Sequence, residues 1–277
     1  MAIDFNATIQ YGCCVLAAEN IAPTDLTNRA GQNLAIGAPA SQVGYRVVAT
    51  IYGNDLVTPK NTGTAQQFVS FGLVLQDPTG GVVIAIRGTE GIIEWLQDAD
   101  FPQITCPVVP GSGKTEQGFT DVYMSLCMAP NAGSPKLVQV LAGLAFPMAV
   151  TSVTICGHSL GGSLVTLLGL DVAANTPFKL PTVYSYASPR TGDSQFVDTY
   201  NQAVFNSFRL ANRLDIVPAL PPAAFNYDHV NMFVDLKPGT EVKIDPFCRH
   251  HLTTYLYVLG KMAGVAGLPL NTECKFP

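Results

Sequence analysis

The chain has little charge of either sign: Asp, Glu, Lys and Arg make up 13% of its 277 residues, against 48% hydrophobic residues. A disordered chain shows the reverse balance, so these side chains can bury a large core. Runs of Lys or Arg are absent and the formal net charge is −5. Nucleic-acid binding requires a basic footprint, so no nucleic-acid partner is expected. No stretch reaches the ~20 apolar residues of a membrane span. The longest apolar candidate, residues 137–150, contains Gln139 and Pro147 and reads as a buried helix. Basic residues are missing before Arg29, and Asp4 stands where a secretory leader would be positive. The first residues therefore do not read as a signal peptide, and the default expectation is a cytoplasmic protein.

The seven cysteines include no Cys-x-x-Cys pair, which argues against a zinc ribbon or a thioredoxin-type site. Their odd number leaves at least one thiol unpaired within the chain. Cys156 falls in an apolar strand pattern and reads as a small buried hydrophobe. Cys248 and Cys274 flank the C-terminal helix, a placement that leaves a pairing open. No repeat, low-complexity tract or linker divides the chain, so one domain over residues 1–277 is expected.

What is present is an alternation of strands and helices. Strands are expected at residues 45–52, 68–76, 82–86, 153–156, 183–187, 207–211, 230–236 and 241–244. Helices are expected at residues 6–19, 92–98, 119–126, 136–145, 159–174, 194–204 and 251–262. The turn Asp77-Pro78-Thr79-Gly80-Gly81 joins two of the early strands, and the first three are expected to pair as hairpins. The rest implies an α/β fold, a central mostly parallel sheet with helices on both faces.

The segment that carries chemistry is Val153-Thr154-Ile155-Cys156-Gly157-His158-Ser159-Leu160-Gly161-Gly162. Gly-x-Ser-x-Gly alone is a weak signal. Here an apolar strand leads in and a long helix leads out, which is the context of a nucleophile elbow. A sharp strand-to-helix turn would strain the Ser159 backbone, expose its hydroxyl and leave no room for side chains at Gly157 and Gly161. The N–H of Leu160, at the helix start, would point to where an oxyanion forms. A glycine-rich turn that merely packs helix on sheet is the plainer alternative, and the flanking elements argue against it. His158 adjoins Ser159, but neighbours in so tight a turn point apart, so it is expected to pack beside the elbow rather than act as base.

Gly111-Ser112-Gly113-Lys114-Thr115 ends like a phosphate-binding loop. The full motif needs glycine where Val108 stands, and Pro107 and Pro110 spoil the strand that should precede it. It reads as an ordinary polar loop.

Over residues 44–259 the ordered motifs resemble the class 3 lipases, the fungal-lipase-type branch of the α/β hydrolases. Residues 157–162 look like the family's elbow. Ile86-Arg87-Gly88-Thr89-Glu90 looks like its oxyanion motif, and residues 91–98 like its lid helix. Tyr184-Ser185-Tyr186-Ala187-Ser188-Pro189 is similar to the strand and loop after the nucleophile helix, and Asn212-Arg213-Leu214-Asp215 resembles the segment bearing the acid. The resemblance implies Ser159 as nucleophile, Asp215 as triad acid, and Leu160 and Thr89 as oxyanion donors. Asp215 also follows a strand-like run, where such sheets place their sites. Family members with His five residues before a Tyr imply His250 as base; others favour His251, which stays open. His229 resembles a structural piece before a strand. Gln117 stands where the family often has His, a departure expected to alter packing rather than the triad.

These residues imply two-step acyl transfer from an ester, without metal or organic cofactor. Ile92, Trp95 and Leu96 share one helix face, and an apolar flap suits a lipid ester met at a lipid–water interface. Triacylglycerol is the first expectation. Phospholipid, galactolipid or aromatic-acid esters are alternatives, and a non-catalytic lipid-binding protein is a more distant one. Many fungal-type members are secreted, which would make this chain a mature form.

Overall fold

The computed structural model describes residues 3–54, 68–89, 91–93, 100–131, 133–230 and 232–276. Its strands are β1 (Asn33–Ile36), β2 (Val43–Asn54), β3 (Phe68–Gln76), β4 (Gly81–Ile86), β5 (Gln103–Thr105), β6 (Lys114–Glu116), β7 (Ser152–His158), β8 (Thr182–Tyr186), β9 (Asn206–Asn212) and β10 (Phe233–Leu236). Among the described residues, eight of them form one sheet in the order β1-β2-β3-β4-β7-β8-β9-β10, and β5 and β6 form a separate ribbon. β1 to β4 pair antiparallel, as the hairpin turns require, and β4 through β10 pair parallel. The Asp77 carboxylate closes the β3–β4 turn, accepting from the Thr79 and Gly81 N–H groups at 2.7 and 3.0 Å.

Period-two alternation divides the core between the two faces of the sheet. In β4, Val82, Ile84 and Ile86 join one cluster, and Val83 and Ala85 the other. The helices are α1 (Phe5–Glu19), α2 (Gln117–Ser125), α3 (Leu137–Leu141), α4 (Leu160–Asn175), α5 (Ser194–Ala203), α6 (Pro246–His250) and α7 (Leu252–Ala263). α2, α3, α4 and α5 cover the first face, while α1 and α7 cover the second. α4 is buried along residues 160–172, which explains why it is apolar all round. Asp4 caps α1 by accepting from the Asn6 and Ala7 N–H groups.

Three expectations need correction. Residues 137–150 are not a buried helix: only Leu137–Leu141 is helical, with Leu137 and Leu141 buried, and Gly143 and Pro147 are exposed beyond its end. Residues 241–244 form no strand. The chain turns away at Lys237-Pro238-Gly239, and Val242 makes a single bridge to Lys275 near the C-terminus. Strand β10 is confined to Phe233–Leu236 and pairs with β9 rather than with a hairpin partner. The phosphate-loop look-alike is the connection between β5 and β6, and Lys114 opens a strand where that motif would need a helix. No helix among the described residues is long and apolar enough to cross a membrane.

Candidate active site

Ser159 sits between β7 and α4 with φ 58° and ψ −125°, a left-handed backbone that a non-glycine residue adopts only under constraint. The constraint is visible at its neighbours. A Cβ on Gly157 would lie 2.3 Å from the Gly161 carbonyl oxygen, and one on Gly161 would lie 2.5 Å from the carbonyl oxygens of Ile86 and Arg87. Both positions thus need glycine for close approach, in line with the sequence reading. The hydroxyl differs from expectation: Ser159 is 1% exposed, because the loop after β4 and the His250 segment close over it. Leu160 is the first residue of α4, so its N–H belongs to the group a helix leaves without an internal acceptor.

His250 arrives from 91 residues away in sequence. Its Nε2 lies 2.7 Å from Ser159 Oγ, and its Nδ1 lies 2.8 Å from Asp215 Oδ2. With Nδ1–H given to the carboxylate, Nε2 keeps a lone pair for the serine proton. The helix that carries His250 is short and firmly held. Asp245 caps it by accepting from the Cys248 N–H at 3.1 Å, Pro246 occupies its first turn, and a disulfide joins Cys248 to Cys274. His251 is exposed. It separates α6 from α7, and its carbonyl accepts from Thr254 and Tyr255.

Asp215 lies in the loop after β9, its side chain fully covered. Asn212 shapes that loop by accepting the Leu214 N–H at 3.0 Å through its side chain and the Asp215 N–H at 3.0 Å through its carbonyl. Asp215 Oδ1 accepts from the Val217 N–H at 3.0 Å, and Oδ2 accepts from the Tyr255 hydroxyl at 2.8 Å as well as facing His250. Both oxygens of this buried carboxylate thus have hydrogen-bond partners, which fix its orientation towards the imidazole.

Thr89 is partly exposed and lines a cavity of about 360 Å³ together with Ser159, His250, Ile92, Ile93 and Phe247. Ile92 is buried, whereas Trp95 and Leu96 lie outside the described residues, as do the other lid positions from 94 to 98. His229 is away from this group, with Nε2 2.7 Å from the Pro218 carbonyl oxygen; burial, with Arg209 and Arg190 nearby, pushes its imidazole down to about 3.

Two participants escaped the sequence reading. Tyr255 holds Asp215 in place, and its one signal was the five-residue spacing from His250. Glu19, at the end of α1, reaches His158, and nothing in the local sequence marks it.

The class 3 lipase model matches residues 83–225, slightly more than half of the chain. A rice (Oryza sativa subsp. indica) phospholipase A1-II 3 is 33% identical over 207 residues, covering 66% of this chain and 49% of that one. A secreted mono- and diacylglycerol lipase 1 from Fusarium solani is 31% identical over 151 residues, covering 54% of this chain and 42% of its own. The chain thus spans about half the length of these relatives. The crystal structure of a mono- and diacylglycerol lipase from Aspergillus oryzae superposes with a TM-score of 0.61 at 21% identity, over 83% of this chain and 79% of that one, which shows the shared fold. With the matched segment running from β4 through the elbow and past Asp215, this chain belongs to the class 3 lipase family.

Proposed function

We propose that the protein is a serine carboxylester hydrolase acting on lipid esters. The observation that carries this reading is His250 within hydrogen-bond reach of both Ser159 Oγ and Asp215 Oδ2. Ser159 attacks the ester carbonyl while His250 Nε2 takes its proton, and Asp215 orients the imidazole and stabilises its charge. Leu160, through its N–H, and Thr89, through its N–H and hydroxyl, stabilise the tetrahedral oxyanion. His250 then protonates the departing alcohol, and water repeats the sequence on the acyl-enzyme to release the acid. No metal or organic cofactor enters these steps.

The substrate is an acylglycerol, triacylglycerol included, at a lipid–water interface. The apolar side chains of Ile92, Ile93 and Phe247 around the cavity support an acyl chain as ligand. In the same reading Ile92, with Trp95 and Leu96 at helical spacing, contributes an apolar face of a lid. A phospholipid ester is the second reading, favoured by the rice relative, whose name is phospholipase A1-II 3.

The test is hydrolysis of p-nitrophenyl esters from short to long chains, beside triacylglycerol, diacylglycerol and phospholipid emulsions, with fluorophosphonate labelling of Ser159. Turnover that rises with acyl length and is blocked by the label supports the reading. Unlabelled Ser159 with bound but uncleaved lipid would point to a binding protein.

A further inference from the structure

The nucleophile is not the only residue of the elbow placed against the triad. His158 is buried at the end of β7, with Nδ1 2.8 Å from Glu19 Oε1 and Nε2 2.8 Å from the carbonyl oxygen of His250. A carbonyl oxygen only accepts, so Nε2 must carry a proton. The Glu19 carboxylate also accepts the backbone N–H of Gly88. An ionised carboxylate likewise only accepts, so Nδ1 opposite it carries a proton as well, which makes the ring an imidazolium.

The surroundings support that charge. Burial alone would push the Glu19 carboxyl up and the His158 imidazole down. Their mutual attraction and hydrogen bond outweigh it, so Glu19 is held below the ordinary carboxylate range and His158 above the ordinary imidazole range. Asp215 adds to the field that favours the cation. The His250 ring lies 4.9 Å away, centroid to centroid, and the Tyr255 ring 6.2 Å away. Although His251 keeps an exposed surface, partial desolvation of its ring and the neighbouring His158 hold its imidazole below the usual range. Arg87, which shares the cavity wall, directs its Nε to the Ser70 carbonyl and its Nη1 to the Gly88 carbonyl at 2.6 and 2.8 Å.

We propose that Glu19 and His158 form a positioning ion pair for the reaction at Ser159. One end grips the main chain of His250, the base. The other grips Gly88, whose peptide leads into Thr89 of the oxyanion loop. Through two side chains α1 therefore sets the separation between the base and the oxyanion donors. Neither residue touches the reacting atoms. Their contribution is geometry: displacing a catalytic group by about 1 Å can cost roughly 10²-fold in rate. This inference rests on the hydrolase reading.

The charge state can be tested without turnover. Nitrogen-15 NMR of the full chain labelled at histidine should show both His158 ring nitrogens protonated near neutral pH, above the free-histidine midpoint of about 6.5. Glu19→Gln keeps an oxygen acceptor for His158 but removes the charge, so the imidazolium should be lost at lower pH than in the unaltered chain. The ratio of kcat for Glu19→Gln to that of the unaltered protein, on a soluble p-nitrophenyl ester, should be about a tenth just above neutral pH and rise towards one as the pH is lowered well below about 6.5, where the buried His158 of the variant regains its proton. KM should move little. A purely structural role would lower the ratio equally at every pH. A neutral His158 ring in the unaltered protein, or a ratio flat with pH, would overturn the proposal. The NMR result stands even where the variant fails to fold. An unaltered protein that cleaves no ester and leaves Ser159 unlabelled would instead overturn the hydrolase reading, and the catalytic use of the pair with it.

Discussion

Tyr255 donates its hydroxyl hydrogen to Asp215 Oδ2 at 2.8 Å, while its oxygen accepts the Asn212 N–H at 3.1 Å. One phenol thus ties α7 to the end of β9 and fixes the carboxylate that faces His250. Its hydroxyl is pushed well above the usual range, first by burial and then by Asp215, so it acts as a donor at any working pH. Tyr255→Phe keeps the ring and leaves the Asn212 N–H and one lone pair of Asp215 unpaired. A hydrogen bond to a charged group is worth about 1.5–3 kcal/mol, so a loss of that order is expected in chemical denaturation. kcat should drop several-fold with KM nearly unchanged. If both stability and kcat stay at their original values, Tyr255 plays no part in holding Asp215.

Asp215→Asn tests the acid. The amide is isosteric, but its nitrogen brings donors to a position where Val217, Tyr255 and His250 already donate. His250 is then driven towards the tautomer whose Nε2 bears the proton and cannot accept from Ser159. The comparable substitution in serine proteases lowers kcat by roughly 10⁴-fold. A loss of that order is expected here, measured on a soluble ester with folding followed by circular dichroism. Retention of more than a tenth of the activity would remove Asp215 from the assignment.

The two adjacent histidines should behave very differently. His250 faces Ser159, whereas His251 is exposed and serves the start of α7 through its carbonyl, which any side chain leaves intact. His250→Ala is expected to lower kcat by several orders of magnitude. His251→Ala should stay within a few-fold of the unaltered protein. The reverse outcome would move the base to His251.

How far the sequence spoke for itself depended on whether a feature was local. β3 was legible to the residue because residues 68–76 form one apolar run, and the elbow was legible because strand, turn glycines and helix follow one another. The placement of α6 was missed although Asp245-Pro246 is a cap followed by a first-turn proline, a signal masked by the helix that begins two residues after it ends. Glu19 was beyond reach for another reason: it meets His158 across 139 residues, and an acidic residue at a helix C-terminus is ordinarily a solvated one. Residues 241–244 misled because an alternating pattern alone does not make a strand: β10 ends the sheet order and could take a partner, but the chain turns away at Lys237-Pro238-Gly239 and Val242 bridges Lys275 instead.

Cys248 lies two residues before His250, and its bond to Cys274 closes a loop across a separation of 26 residues. A loop of that length restricts the unfolded chain by about 3 kcal/mol in the chain-entropy account. Cys274→Ala should therefore lower the melting temperature measurably. Because the bond also anchors the helix that ends at His250, kcat should fall as well. Dithiothreitol should reproduce both effects in the unaltered protein and neither in Cys274→Ala. A variant with unchanged melting temperature and kcat would show that Asp245 and Pro246 hold that helix unaided.

His229 gives the acid limb of stability. Its Nε2 meets the Pro218 carbonyl oxygen at 2.7 Å, and burial, followed by the charges of Arg209 and Arg190, pushes its imidazole down to about 3. Folding therefore holds the ring neutral over a range in which the unfolded chain, with a midpoint near about 6.5, takes up a proton. A depressed pKa of this kind contributes stability above about pH 6.5 and loses it as the pH falls towards about 3. The contribution is roughly 3 kcal/mol at most, after allowance for the part of the ring that water reaches. His229→Gln retains a side-chain N–H for the Pro218 carbonyl but has nothing to titrate. Denaturant midpoints measured from about pH 7 down to about pH 4 should fall less steeply for the variant than for the unaltered chain. Carboxylates with lowered values, Glu19 among them, add a further loss at the acid end that both proteins share, so the difference between the two curves isolates the histidine. Parallel curves would mean that His229 is protonated in the folded protein at the same pH as in the unfolded one, and that the two arginines do not act on it.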